Sequence, residues 1–162
     1  RNCLVANNTN QSGYGGGAYV SGSGTVFESC TIAGNYSTND GGGLYLAGTN
    51  KYVVNSIIHG NSSLSNNYPD IYNIIFVNQG SFSNNCSSAT LPAENGNITN
   101  APLFNDADNW RLAQSSLCVN AGVNQGWMTN AVDIVSGPRI RYGTVDIGAY
   151  EIIYEGTVYG LK

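Results

Sequence analysis

The apolar residues of this chain do not recur at helical spacing; they alternate in short runs, and the runs repeat. Asn2-Cys3-Leu4-Val5-Ala6-Asn7-Asn8 aligns with Ser29-Cys30-Thr31-Ile32-Ala33-Gly34-Asn35 and again with Asn55-Ser56-Ile57-Ile58-His59-Gly60-Asn61, at steps of 27 and 26 residues. A second block keeps the same period: Gly16-Gly17-Ala18-Tyr19-Val20, Gly42-Gly43-Leu44-Tyr45-Leu46 and Pro69-Asp70-Ile71-Tyr72-Asn73. Two interleaved motifs on one period identify an internal repeat. Alternation within the first block predicts short strands, with Cys3 and Val5, Cys30 and Ile32, Ser56 and Ile58 facing one way and Leu4, Thr31 and Ile57 the other. Repeats of 26–27 residues with Gly and Asn turns predict a parallel β-solenoid whose coils stack about 4.8 Å apart.

In such a stack, equivalent residues form ladders. Asn8, Asn35 and Asn61 predict a stacked asparagine corner, where side-chain amides bond to one another and Asn tolerates a left-handed backbone. Tyr19, Tyr45 and Tyr72 each lie between inward-facing residues, which predicts an outward aromatic ladder. That ladder has two readings: a surface for sugar rings or a protein partner, or a cross-strand stack that only stabilises the sheet. Regular coils are expected over residues 1–88. An irregular stretch and a closing region, in the same domain, follow over 89–162, with about five or six coils in all.

Composition narrows the functional classes. The chain has 162 residues, one domain's worth, and 10% charged residues against a usual figure of about 25%. Six Lys and Arg against ten Asp and Glu give a net charge of −4, which excludes the basic face that nucleic acids or anionic membranes require. No apolar run approaches the length of a bilayer span. Abundant Asn (23) and Gly (21), with few strong helix formers, make the chain all-β. It opens at Arg1 with no signal segment in view, and so reads as a mature fragment or the ordered part of something longer.

Catalysis on a solenoid needs carboxylates on neighbouring coils. Up to residue 88 the chain holds only Glu28, Asp40 and Asp70, and no two of them are one period apart. His59, the one histidine, aligns with Ala6 and Ala33 as a surface residue. The cysteines have neither C-x-x-C spacing nor a histidine partner, so no metal or cofactor is expected. Asp106-Ala107-Asp108-Asn109 reads as an Asx-rich turn in preference to a cation site. Arg139, Asp146 and Glu151 read as a structural Arg–carboxylate clamp on the last coil. Cys3 and Cys30 are expected inside as small hydrophobes, Trp110 in the core and Trp127 in the open.

The stacked-Asn corner and three short strands per coil resemble right-handed single-stranded parallel β-helices. The Gly-Gly-Ala-Tyr and Gly-Gly-Leu-Tyr blocks resemble the GGA-type repeats of polymorphic outer-membrane adhesin passengers. Further on, Gly96-Asn97-Ile98, Ala101-Pro102-Leu103-Phe104, Trp110-Arg111-Leu112, Ser116-Leu117-Cys118-Val119-Asn120-Ala121-Gly122, Gly137-Pro138-Arg139-Ile140 and Val145-Asp146-Ile147-Gly148-Ala149-Tyr150-Glu151 occur in order. This series, over roughly residues 55–152, resembles the choice-of-anchor Q domain of secreted bacterial β-helix proteins. The chain departs from it at Leu117, at Asn120 and across 133–137, departures that count against a calcium loop there.

The resemblance implies a secreted or cell-surface protein. It also implies a disulfide between Cys86 and Cys118, since that family often has cysteine at both places. The expected function is a non-catalytic extracellular surface or structural β-helix, adhesin-like and able to stack head-to-tail into filaments through an open coil. A carbohydrate-binding β-helix using Tyr19, Tyr45 and Tyr72 is the alternative, with surface polysaccharide as partner. A third reading is the C-terminal part of a polysaccharide lyase or hydrolase whose site lies on other coils.

Overall fold

Asn2, Ser29, Asn55 and Asn84 hold a left-handed backbone, with φ of 51°, 52°, 50° and 53°. Asn7, Gly34 and Gly60 do the same on the far side of the next strand. Left-handed residues therefore bracket the first strand of each coil and turn the chain at both ends. The left-handed corner is one residue earlier than Asn8, Asn35 and Asn61, which leaves those three free to form the ladder. In the computed structural model, residues 1–65, 68–73, 80–106 and 108–154 are described.

Each coil offers four strand positions, one more than the sequence suggests. Coil 1 holds β1 (Leu4–Ala6), β2 (Thr9–Asn10), β3 (Ala18–Val20) and β4 (Val26–Glu28). Coil 2 holds β5 (Thr31–Ala33), β6 (Tyr36–Ser37), β7 (Leu44–Leu46) and β8 (Lys51–Val54). Coil 3 holds β9 (Ile57–His59), β10 (Ser62–Ser63), β11 (Ile71–Asn73) and β12 (Gly80–Ser83), and β13 (Cys86–Ser87) begins a fourth. Equivalent strands pair in parallel into four sheets, β1-β5-β9-β13, β2-β6-β10, β3-β7-β11 and β4-β8-β12. The fold is a parallel β-solenoid. Registers Leu4 to Thr31 and Thr31 to Ile57 reproduce the 27- and 26-residue steps, whereas Ile57 to Cys86 takes 29. Three coils and one strand of a fourth stand among the described residues, fewer than the five or six expected.

The first sheet separates two cores. Its inner face contributes Cys30, Ile32 and Ile58 to the solenoid interior, with Leu44, Leu46, Val53, Ile71 and Phe82. Its outer face contributes Ile57 and Cys86 to a second cluster with Leu112, Cys118 and Ile147. Sheets covered on both sides read as continuous apolar runs, and Cys30 to Ala33 are all buried. The sequence places Leu4, Thr31 and Ile57 facing outward, and they do; what lies over them is the C-terminal segment.

That segment, residues 99–154, is a lateral strap, not an end cap. It opens with β14 (Phe104–Asp106) and β15 (Arg111–Leu112), an antiparallel pair. It then spans the coils: Ala121 accepts from Asn84 Nδ2, Asn55 exchanges bonds with Val123, Ala149 N–H donates to Thr31 Oγ1, and Val132 accepts from Asn2 Nδ2. Two glycines permit the close approach. A Cβ on Gly34 (φ 65°) would lie 2.7 Å from Trp110 Cζ2, and one on Gly148 (φ 114°) would lie 2.8 Å from Ile57 Cδ1. The foot of the solenoid is closed instead by residues 89–98. There Ala89 and Leu91 pack on the inner core, and Ile98 bridges back to Cys86.

The strap also revises the tryptophans and one cysteine. Trp110 is half-buried on Gly34, edge-on to Phe104 at 5.0 Å. Trp127 is half-buried too, and not open, because its Nε1 donates to Glu28 Oε1 at 2.6 Å and Arg1 lies over its ring. Cys30 is inside as expected, whereas Cys3, on coil 1, is exposed.

Candidate functional site

Ala18 and Val20, and likewise Leu44 and Leu46, point into the solenoid core, so the tyrosine between each pair must point out. Register carries this through three coils, Tyr19 to Tyr45 to Tyr72. Their rings stack, with centroids 5.2 Å and 4.7 Å apart and planes within 18° and 14°. Tyr19 is 55% exposed but Tyr45 only 8%. The ring faces of the ladder are thus turned on each other, and the central rung is not open to a sugar ring.

Two tyrosines that the repeat comparison missed complete the surface. Tyr14 leans on Tyr45 at 4.5 Å and 44°, and Tyr68 meets Tyr72 edge-on at 4.9 Å. Gly15 N–H donates to Asp40 O, and Gly41 N–H to Tyr68 O, which sets Tyr14, Asp40 and Tyr68 at one position on three successive coils. The signal was available, since each precedes its Gly-Gly or Pro-Asp block by a nearly constant distance. Ser65 Oγ donates to Asp40 Oδ1 at 2.5 Å. Burial, then the neighbouring phenols and Asp40, hold the Tyr45 phenol above its ordinary pKa. Among the described residues none of the five phenol oxygens takes part in a hydrogen bond; Tyr14, Tyr19 and Tyr68 are exposed, and the phenols of Tyr45 and Tyr72 are not among the buried unpaired polar atoms. Tyr68 also lines a pocket of about 420 Å³ with Asp70, Ile71, Ser88 and Thr90 at the foot.

The asparagine corner forms as expected, and with a direction. Asn8 N and Nδ2 donate to Asn35 Oδ1 (3.0 and 2.9 Å), and Asn35 N and Nδ2 donate to Asn61 Oδ1 (3.0 and 2.9 Å). Asp70 Oδ1 then receives Asn61 N and Nδ2, while Oδ2 receives Ser88 N and Oγ. A second ladder, absent from the sequence reading, runs from Cys30 N through Ser56 and Asn85 to Asn97.

In the strap, Arg139 is fully buried, yet its fork serves carbonyls rather than gripping two carboxylates. Nη2 donates to Gly148 O (2.5 Å) and Asp146 O (3.2 Å), and Nη1 stands 3.4 Å from Glu151 Oε1. The carboxylates cap backbone N–H groups: Glu151 those of Asp146, Asp146 those of Asn120 and Ile152, Asp133 those of Val135, Gly137 and Glu151. Burial outweighs the pull of Arg139 and pushes Glu151 up to about 8; burial also raises Asp146 and lowers Arg139. Glu151 borders a pocket of about 300 Å³ with Arg111 and Tyr150, but its carboxyl is buried and engaged on both oxygens. The cluster holds the strap and offers no open acid or base.

Cys86 and Cys118 share one cluster on the outer face of the first sheet as free thiols and not as a disulfide, and Cys86 Sγ donates to Asn100 O at 3.2 Å. The interaction between the two thiols, with burial, raises Cys86, and the same interaction lowers Cys118. His59 is half-buried at the register position of Ala33. The Asp106 side chain, Ala107 and Glu155 lie outside the described residues. Among the described residues no three His, Cys, Asp or Glu side chains group as a metal site, and no helix is long and apolar enough to cross a membrane. No family model, no curated protein and no solved structure matches the chain, so the resemblance to the choice-of-anchor Q domain has no support beyond its motifs.

Proposed function

We propose that this chain is a non-catalytic, adhesin-like β-solenoid of the cell surface or extracellular space, and that its tyrosine face binds polysaccharide. One observation carries the reading: five tyrosines in mutual ring contact form one surface, with Asp40 beside Tyr14, Tyr45 and Tyr68, that runs through Tyr68 into a ligand-sized pocket. Phenols and a carboxylate match a polyhydroxylated ligand, which both donates and accepts hydrogen bonds. With the ladder faces stacked on each other, the contact is made by hydroxyl rims and by the outlying rings of Tyr14, Tyr19 and Tyr68. The motif order from Gly96 to Glu151 supports a place among secreted β-helix proteins of the choice-of-anchor Q type.

Head-to-tail stacking into filaments would first have to displace Ala89 and Leu91 from the foot, so adhesion without polymerisation is the form proposed. Electrophoresis in native gels cast with plant or bacterial polysaccharides tests the binding. The wild type should be retarded by at least one of them, and Tyr19→Ala and Tyr68→Ala should run free. Equal mobility of wild type and both variants in every gel overturns the proposal.

A further inference from the structure

We propose that Asp40 makes the tyrosine face selective for glycans carrying a protonated amine. This rests on the polysaccharide-binding reading above and adds the class of sugar. Asp40 is half-buried on the middle coil, between Tyr14 and Tyr68 of the coils on either side. Ser65 fixes Oδ1, and among the described residues none donates a hydrogen bond to Oδ2.

No cation among the described residues pairs with this carboxylate. Arg1 is bound to Glu28 and Trp127, Arg111 lies over Tyr150, Arg139 stands by Glu151, Arg141 stands against Gly137 in the strap, and Lys51 is enclosed in the solenoid. An ion-paired carboxylate would be a structural group. An oriented, unpaired one beside exposed aromatic rings is an acceptor awaiting a donor. A sugar hydroxyl gives it a hydrogen bond in which only the acceptor is charged. A protonated amine gives a charge-assisted bond and, within about 6 Å of the flanking rings, cation–π attraction as well. Uronate sugars meet like charge, from Asp40 and from a chain of net charge −4. The predicted order is amino sugar, then neutral sugar, then uronate.

Isothermal titration at about pH 6, where the amine is charged, decides it with three tetrasaccharides: glucosamine, N-acetylglucosamine and galacturonate. The glucosamine oligomer should bind about five- to tenfold tighter than its acetylated form at low salt. Asp40→Asn should remove that gap by weakening the glucosamine oligomer more than the acetylated one, and about 0.5 M salt should narrow it. The substitution keeps the oxygen that Ser65 bonds, and unchanged urea unfolding of the variant confirms the fold. Equal affinity for the two oligomers, or a preference that survives Asp40→Asn, overturns the selectivity and leaves polysaccharide binding standing. Binding of none of the three, together with no gel retardation, overturns both.

Discussion

The asparagine ladder makes a strict demand at its end. Each rung sends its backbone N–H and one Nδ2 hydrogen forward, from coil 1 toward coil 3, while the other Nδ2 hydrogen of Asn35 and Asn61 goes back to Val5 O and Ile32 O, so Asn61 arrives with a backbone N–H and one side-chain N–H that both need an acceptor. Another amide would pass the demand on; a carboxylate, which only accepts, ends it. Asp70 is 1% exposed and receives four hydrogen bonds, two from Asn61 and two from Ser88. Replacing it with alanine strands the two Asn61 donors in a buried place, at about 1–3 kcal/mol each, or about 2–6 kcal/mol together. Ser88 is exposed and can turn to water, so it adds little.

Against a typical domain stability of about 5–15 kcal/mol, that loss is large. With an m-value of about 2 kcal/mol/M, the urea midpoint should fall by about 1–3 M at unchanged m. Asp70→Asn retains an oxygen for Asn61 but turns an amide toward Ser88 N–H, and should fall between wild type and Asp70→Ala. An Asp70→Ala midpoint within the shift of an exposed control such as Glu94→Ala would refute the account of the ladder's end.

The strap and the foot make further predictions. Glu151, with a folded pKa of about 8 against an ordinary 4.5, keeps its proton where the unfolded chain has lost it. Its stabilisation is therefore full below about pH 4.5 and lost as pH rises through about 8, at up to about 1.4 kcal/mol per pH unit. Urea midpoints measured from about pH 5 to 9 should decline less for Glu151→Gln than for wild type. Under mild oxidation, Cys86 and Cys118 should join, with loss of two hydrogens by intact mass and about 3–4 kcal/mol of added stability from closing the loop between them. Cys118→Ser should abolish both effects. Light scattering at rising concentration should show no growing polymer, because the foot is closed by Ala89 and Leu91.

The parts of the fold that repeat were legible, and the parts that do not repeat were hidden. Register, the Asn8–Asn35–Asn61 ladder and the outward tyrosines follow from a fixed step, because every coil presents the same backbone to the next. The strap shares no period with the coils. Its contacts join residues 68, 118 and 130 positions apart, and nothing in the alternation of Ile57 or Cys86 says what covers their outer face. Cys86 was obscured for the same reason: the third step is 29 residues, so its place on the outer face of the first sheet falls out of phase. Burial of Tyr45 escaped notice because it depends on Tyr14, which lies outside the strand block that defines the ladder. Asn85 and Asn97 formed a second ladder across a shortened turn of 12 residues, which no search at the 26-residue period detects.

The tyrosine face is tested most directly by following tyrosine ring resonances by NMR while a binding polysaccharide, or an oligomer of it, is added. The ring signals of Tyr14, Tyr19, Tyr68 and Tyr72 should move together and saturate. Tyr142 and Tyr154, which pack on each other in the strap, should stay fixed. Shifts confined to Tyr142 and Tyr154, or no shift in any tyrosine at saturating ligand, would contradict the assignment of this face as the binding surface.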